Sequence, residues 1–537
     1  MLSVTLEGIT AHKAEFEQAG VELPRYDVAK VQAETAAHPV WVHCGAGNIF
    51  RGFVASLQQD LLNQGLQTSG IQTVSCYDGA IIDEVYKPHD HLTMEVTLLP
   101  DKSVKLRVIG SVTDGLKLNG SAPADEAKAR EIFRSPSLQM FSYTITEKGY
   151  ALRGIDGEFT AQVKDDMANG PDKCRHAMAQ TTALLFERFK AGAYPIAVVS
   201  MDNCSHNGDK VKDAVLTIAK AWQEKGFVGA DFMAYLTDGK KVSFPCTMID
   251  KITPRPDPEI AALLKEKGID GMDPLKTARG SFIAPFVNAE KPQYLVVEDD
   301  FPNGRPPLEK AGVLFTTKDG VDLCERMKVT TCLNPLHTAL AVYGCVLGYE
   351  RISAEMDDAD LVKLVKKLGY DEGLPVVDDP KILSPKAFLT EVIEERLTNK
   401  CLPDSPQRIA TDTSQKVPVR FGETLKNYHK KGLDASQLVA LPLAIAGWIR
   451  YLLAIDDKGQ PFTPSDDPLL ADLQQKLAAV KFGDPSSVGD NLQPILKNAT
   501  LFGVDLYAVG LGKKIEGLVG EMIAGPGAVR ATLQKYL

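Results

Sequence analysis

Residues 328–337 read KVTTCLNPLH and set a lysine, an asparagine and a histidine within ten positions. Each type has a use at an alcohol or carbonyl carbon. A lysine amine takes or gives a proton, an amide N–H holds a developing oxyanion, and an imidazole bonds a hydroxyl. Each also has a plain structural use. Asn334 before Pro335 suits the cap of a helix that begins at 335. His337 is then a helix-end histidine and Lys328 an ordinary solvated side chain. A second polar cluster, SMDNCSHNGDK (200–210), follows the apolar run YPIAVVSMD. There Asn203 lies past a strand's C-terminal end, where ligands bind in open α/β sheets, while Asn207-Gly208 reads as a turn. A third stretch, FPCTMIDKITPR (244–255), carries Asp250 and Lys251.

These residues need elements to hold them. PVWVHC (39–44) reads as a strand, GAGN as a turn and FVASLQQDLLNQG as an amphipathic helix; GIQTVSCYD (70–78) reads as a second strand. That is one βαβ unit, and it predicts a parallel sheet covered by helices. Gly45 permits the tight turn. Gly47 lets the backbone at Asn48 and Ile49, where the helix opens, approach a pyrophosphate. The third glycine of a G-x-G-x-x-G fingerprint is absent: position 50 is Phe50, and Gly52 comes two residues late. Asp78 at the end of the second strand is placed to bond ribose hydroxyls and to repel a 2′-phosphate, which favours NAD over NADP. As plain structure, the same aspartate is a turn residue before Gly79.

Further strand signals are KLRVIGSV (105–112), QMFSYTIT (139–146), YPIAVVSMD (194–202) and QYLVVEDDF (293–301). From about 318 helical patterns dominate. The expected organisation is α/β then α: a Rossmann-type domain with a mostly parallel sheet over 1–317, including a helical extension over 1–36, and a mostly helical domain over 318–537. The cleft between them is the expected ligand site. A net charge of −10 argues against nucleic acid as a partner. Nine cysteines without a CxxC pair read as reduced thiols, and no signal peptide is visible, which points to the cytoplasm. The longest apolar run, 438–455, contains Pro442 and Arg450 and reads as a buried helix; no membrane partner is expected.

HCGAGNIFRGF, SYTITEKGY, SMDNCSHNG, FPCTMIDKITPR, VVEDDFPNGRPPLEKAGV, ERMKVTTCLNPLHTALAVYG and AGWIRYLLAIDDKG occur in that order. Together they resemble the polyol-specific long-chain dehydrogenases, from about residue 39 to the C-terminus. The resemblance implies an NAD-dependent, metal-free oxidoreductase acting on a secondary alcohol. It implies Lys328 as general acid/base, Asn203 and Asn334 as holders of the reacting oxygen, His337 at the substrate hydroxyls and Glu325 in proton exchange with solvent. One departure stands out: the family spaces its lysine and asparagine one residue closer than Lys328 and Asn334.

Other classes fit less well. His89 and His91 are too isolated for a zinc site. YDVAK (26–30) has the Tyr-x-x-x-Lys string of short-chain dehydrogenases but precedes the glycine turn. A non-catalytic NAD-sensing protein is the reading from a different class, and the lysine, asparagine and histidine set argues against it. RIATDTSQKVPVRF (408–421) looks more like the hexuronate reductases than the mannitol enzymes. Arg420 is placed to pair with a substrate carboxylate, Lys416 adds charge or bonds a hydroxyl, and Asp250 is a further substrate contact. As plain structure, Arg420 is a surface arginine. The expected reaction is D-fructuronate with NADH to D-mannonate. The alternatives are tagaturonate reduction and fructose–mannitol interconversion, in a monomer or small homo-oligomer.

Overall fold

The computed structural model describes all residues 1–537. The chain forms two compact units. Met1–Leu99 with Ser103–Asp322 make the first; Leu323–Leu537, with the turn Pro100–Lys102, make the second.

The first unit has three sheets of three or more strands, beside two two-stranded pairings, Leu2–Ser3 with Ile269–Asp270 and Leu275–Lys276 with Phe282–Ile283. The strands of the three larger sheets are β1 (Val21–Glu22), β2 (Trp41–Cys44), β3 (Ile71–Ser75), β4 (Thr93–Leu98), β5 (Val104–Ile109), β6 (Val112–Lys117), β7 (Met140–Tyr143), β8 (Ile196–Ser200), β9 (Val242–Ser243), β10 (Thr247–Asp250), β11 (Phe286–Glu290), β12 (Tyr294–Glu298) and β13 (Leu314–Thr316). Six of them form a wholly parallel sheet in the order β9-β8-β7-β2-β3-β6. Every residue of β2, β3, β7 and β8 is buried, as a sheet covered on both faces requires. One apolar cluster centred on Phe141, Val198 and Trp222 packs one face, and another centred on Phe53, Val54 and Ile82 packs the other.

The expected single strand over 105–112 is two strands in two sheets. β5 pairs antiparallel with β4 in a four-stranded sheet of order β11-β4-β5-β1, whereas β6 joins the parallel sheet. The crossing falls at Gly110, where a Cβ would stand 3.0 Å from Val28 and 3.2 Å from Pro24. Apolar content gave no hint of it, because both halves are strand-like. The second βαβ strand likewise stops at Ser75, three residues short of Asp78. The N-terminal extension is more than a helix. It holds Leu6–Ala11, Lys13–Gln18 and Val28–Ala37, and contributes β1 to a sheet.

Helices make up nearly all of the second unit. Asn334–Leu347 (α1) and Ala440–Leu452 (α2) are its central pair; Tyr343 donates to the Leu443 carbonyl at 2.7 Å, and Gly447 leaves room for the Tyr343 ring. The apolar run at 438–455 is therefore a buried helix, as expected. Its N-terminal amides at Val439, Ala440 and Leu441 donate at 2.7 Å to the buried Glu372 carboxylate, which suits the positive end of a helix. Arg450 is fully buried, and its guanidinium is spent on the carbonyls of Met522, Ile455 and Asp456. No helix is long and apolar enough to cross a membrane.

Candidate active site

In the first unit the glycine turn follows β2. Gly45 has φ 121°, and a Cβ there would meet the Thr144 carbonyl at 2.3 Å, so no other residue fits. At Gly47 a Cβ would meet nothing within 4 Å; the space over the turn is open. The helix after the turn begins with a π-turn, Phe50–Val54, before Ala55–Asn63. An i→i+5 turn admits an extra residue, so the usual glycine spacing is not kept. Gly52 instead faces Val287 and Thr253 at 3.1 and 3.4 Å, the close helix–strand packing that the third glycine normally serves. Phe50 stacks on His43 at 4.2 Å.

The turn is pinned from below. Tyr86 donates to the Ala46 carbonyl at 3.0 Å; Asn48 donates to the Pro254 carbonyl and accepts from Arg51, whose own guanidinium is buried and donates to the Ala284 carbonyl. Beneath it His43 joins Ser142 at 2.7 Å and Thr144 at 2.8 Å, and burial pulls its imidazole down to about 3, so it is neutral.

A cavity of about 720 Å³ opens over this turn. Gly45, Gly47, Asn48, Asp78, Thr146 and Arg175 are among its lining residues, and Lys148 adds a second cation. Asp78 reaches the wall from the loop after β3 and accepts from Thr277 and from the Ala80 amide. Ile49 is half-buried and packs on the apolar cluster beneath. The donor set fits a dinucleotide: helix-start amides and two cations for phosphates, a carboxylate for ribose hydroxyls, and a size within the range of ligand pockets.

Asn203 is exposed in the loop after β8, and Asp250 ends β10. Asn207 and Gly208 are not a turn. Asn207 opens the helix Asn207–Glu224, and its buried amide bonds the Asp202 carbonyl and both backbone groups of Thr247, stitching β8 to β10. A Cβ on Gly208 would meet the Phe244 carbonyl at 2.3 Å. Helix geometry, not turn chemistry, governs this pair.

The second unit holds the remaining polar residues. Glu325 is half-buried in Lys318–Met327. Lys328 is only 3% exposed and starts a π-turn, Lys328–Cys332, closed by the Leu333 amide on the Lys328 carbonyl at 3.1 Å. A π-turn holds one residue more than an α-turn, so it lengthens the path from Lys328 to Asn334 by one residue. Asn334 is the first residue of α1, not its cap; Leu333 holds the cap position and has no side-chain capping bond. One turn on, His337 has no hydrogen-bond partner on Nε2, which lies 3.7 Å from Asp404. Burial, partly opposed by Asp404 and reinforced by Arg420, Arg408 and Arg396, holds its pKa below the usual histidine range. Arg420 donates to Thr338, next to His337, and burial brings it down to about 10, still cationic near neutrality. Lys416 donates to the Ile409 and Thr411 carbonyls; burial and Arg420 lower its pKa. Arg408 binds Asp404. The structure thus gathers His337, Lys416 and Arg420 with three residues that sequence reasoning missed, Arg396, Asp404 and Arg408. Their only sequence signal was an arginine at the head of RIATDTSQK.

A parallel-sheet unit with a cavity over a glycine turn, in one chain with a helical unit that holds a buried lysine and a cationic cluster, defines a two-unit nucleotide-dependent oxidoreductase. The mannitol dehydrogenase Rossmann domain matches residues 40–310 and the mannitol dehydrogenase C-terminal domain residues 320–516, so the chain belongs to the mannitol dehydrogenase family. It is a dehydrogenase acting on CH–OH groups. It is 52% identical over 528 residues to the D-mannonate oxidoreductase of Thermotoga maritima, covering 98% of this chain and 97% of that one. It is 30% identical over 476 residues to the polyol:NADP oxidoreductase of Gluconobacter oxydans, covering 88% and 90%. Among solved structures it is similar to substrate-free D-sorbitol dehydrogenase (TM-score 0.78, 28% identity, covering 96% and 98%). It is also similar to Pseudomonas fluorescens mannitol 2-dehydrogenase in complex with NAD and D-mannitol (TM-score 0.66, 26% identity, covering 97% and 98%).

Proposed function

We propose that the protein interconverts D-fructuronate and D-mannonate with NAD(H), with Lys328 as general acid/base. The observation that carries the sugar-acid reading is Arg420, which bonds Thr338 next to His337 and has Lys416 beside it. Arg408 is already paired with Asp404, whereas Arg420 donates to the neutral Thr338 hydroxyl; a uronate or aldonate carboxylate would balance Arg420, its fork taking the carboxylate bidentately, and a polyol would not. The 52% relative, a D-mannonate oxidoreductase, supports the same reading.

NAD suits the first unit because Asp78 puts a carboxylate where a 2′-phosphate would otherwise bind. Gly45, Gly47 and the backbone at Asn48 and Ile49 receive the pyrophosphate. The bound nicotinamide supplies the hydride chemistry. The chain supplies the rest. Lys328, shielded from water, passes a proton to or from the substrate oxygen. Amide N–H groups of Asn203 and Asn334 stabilise charge on that oxygen. His337 bonds substrate hydroxyls, Arg420 and Lys416 bind the carboxylate end, Asp250 contacts the substrate, and Glu325 exchanges the lysine proton with solvent.

The test is loss of NADH absorbance with D-fructuronate, D-tagaturonate and D-fructose in parallel, for the wild type and Arg420→Ala. Preference for fructuronate, with its KM raised roughly a hundredfold in the variant, is expected. Preference for fructose, unchanged by the variant, would sink the sugar-acid reading.

A further inference from the structure

The wall of the dinucleotide cavity at Thr144–Gly149 contains a backbone anomaly. Thr146 has φ 66° and ψ 162°. That region belongs almost solely to glycine, and a β-branched residue there is a true outlier. Such a conformation persists only when its surroundings hold it. Here the holder is one side chain. Asp202 accepts from the Ile145 amide at 2.8 Å, from the Thr146 amide at 3.0 Å and from the Tyr150 hydroxyl at 2.5 Å. Tyr150 is fixed in turn by Ser200 at 2.9 Å. Asp202 is 8% exposed; desolvation raises the pKa of its carboxylate, and these three donors oppose that only in part. Thr146 itself is exposed and lines the cavity. The same wall meets the glycine turn, since the Thr144 carbonyl is what excludes a side chain at Gly45.

We propose that Asp202 is a positioning residue for the dinucleotide: its buried carboxylate holds Ile145 and Thr146 in a glycine-like backbone and so sets the cavity wall against which the cofactor binds. The inference rests on the reading of this cavity as the NAD site. Asp202 touches neither cofactor nor substrate in this account. It acts through Thr146, so relieving the strain at Thr146 relieves the need for Asp202.

The experiment is NADH affinity by fluorescence titration, with melting temperature, for the wild type and for Asp202→Asn, Thr146→Pro, and Asp202→Asn combined with Thr146→Gly. Asp202→Asn should weaken NADH binding by about tenfold, as expected for losing hydrogen bonds to a charged group. The added Thr146→Gly should restore most of it, because glycine reaches positive φ freely. Thr146→Pro locks φ near −65° at an exposed position; it should weaken NADH binding as Asp202→Asn does, with melting within a few degrees of wild type. If Asp202→Asn fails to fold, Thr146→Pro decides. Undiminished NADH binding by Thr146→Pro, or a loss in Asp202→Asn that Thr146→Gly does not recover, overturns the proposal. Wild-type protein that fails to bind NADH would instead remove the NAD reading, and this inference with it.

Discussion

Asn334 shows how a single residue separates two uses of one side chain. An asparagine before a proline is ordinarily a helix cap, and replacing such a cap by alanine costs about 1 kcal/mol. Here Leu333 holds the cap position and Asn334 is the first residue inside the helix. Asn334→Ala should therefore leave the melting temperature nearly unchanged, while kcat falls by roughly a hundredfold or more, the scale of a lost oxyanion donor. A drop in melting temperature with kcat intact would return Asn334 to a structural role. Residues with a motif around them, such as Gly45, Asn203 and Lys328, could be singled out from the sequence. Asp404, Arg408 and Arg396 could not, because they meet His337 only through the packing of separate helices. Asp202 was passed over for the amide beside it, since nothing in SMDN announces that its partners lie more than fifty residues upstream.

Among elements, the π-turns at the glycine turn and before α1, two of six in the chain, were the least legible. Phe50–Val54 and Lys328–Cys332 have the apolar spacing and propensity of ordinary helix, and a shift from i→i+4 to i→i+5 bonding leaves no compositional trace. Their effect was nonetheless visible as two spacing faults, a displaced third glycine and one residue too many between Lys328 and Asn334. The βαβ unit was legible because a fully apolar strand, a glycine turn and an amphipathic helix each have their own period. The split of 105–112 was not, because only tertiary packing at Gly110 decides it. The second π-turn makes a prediction. Deleting Val329 should convert it to an α-turn without rotating α1, and should keep kcat within about tenfold of wild type with only a small loss in melting temperature. Loss of all turnover in a folded deletion variant would mean the π geometry itself is required.

At the scale of the whole molecule, five of the nine histidines (His43, His89, His91, His176 and His337) are held below their ordinary pKa, chiefly by burial. Each takes up a proton more readily when unfolded. Their contribution to stability is complete above the unfolded value of about 6.5 and is lost as pH falls toward the folded values. Denaturant unfolding as a function of pH should therefore show stability falling steeply below about 6.5. His43→Gln should flatten that slope by about 1.4 kcal/mol per pH unit, since His43 stays neutral down to about 3. An unchanged slope would contradict the burial assigned to His43. In the proposed reaction the first unit holds NAD and the second supplies the proton through Lys328. Lys328→Ala tests it most directly, with NADH affinity and kcat measured on the same preparation. NADH affinity should stay within about twofold of wild type and kcat should fall by about a thousandfold, the scale of a removed general acid/base. A variant that binds NADH and keeps full turnover would contradict it.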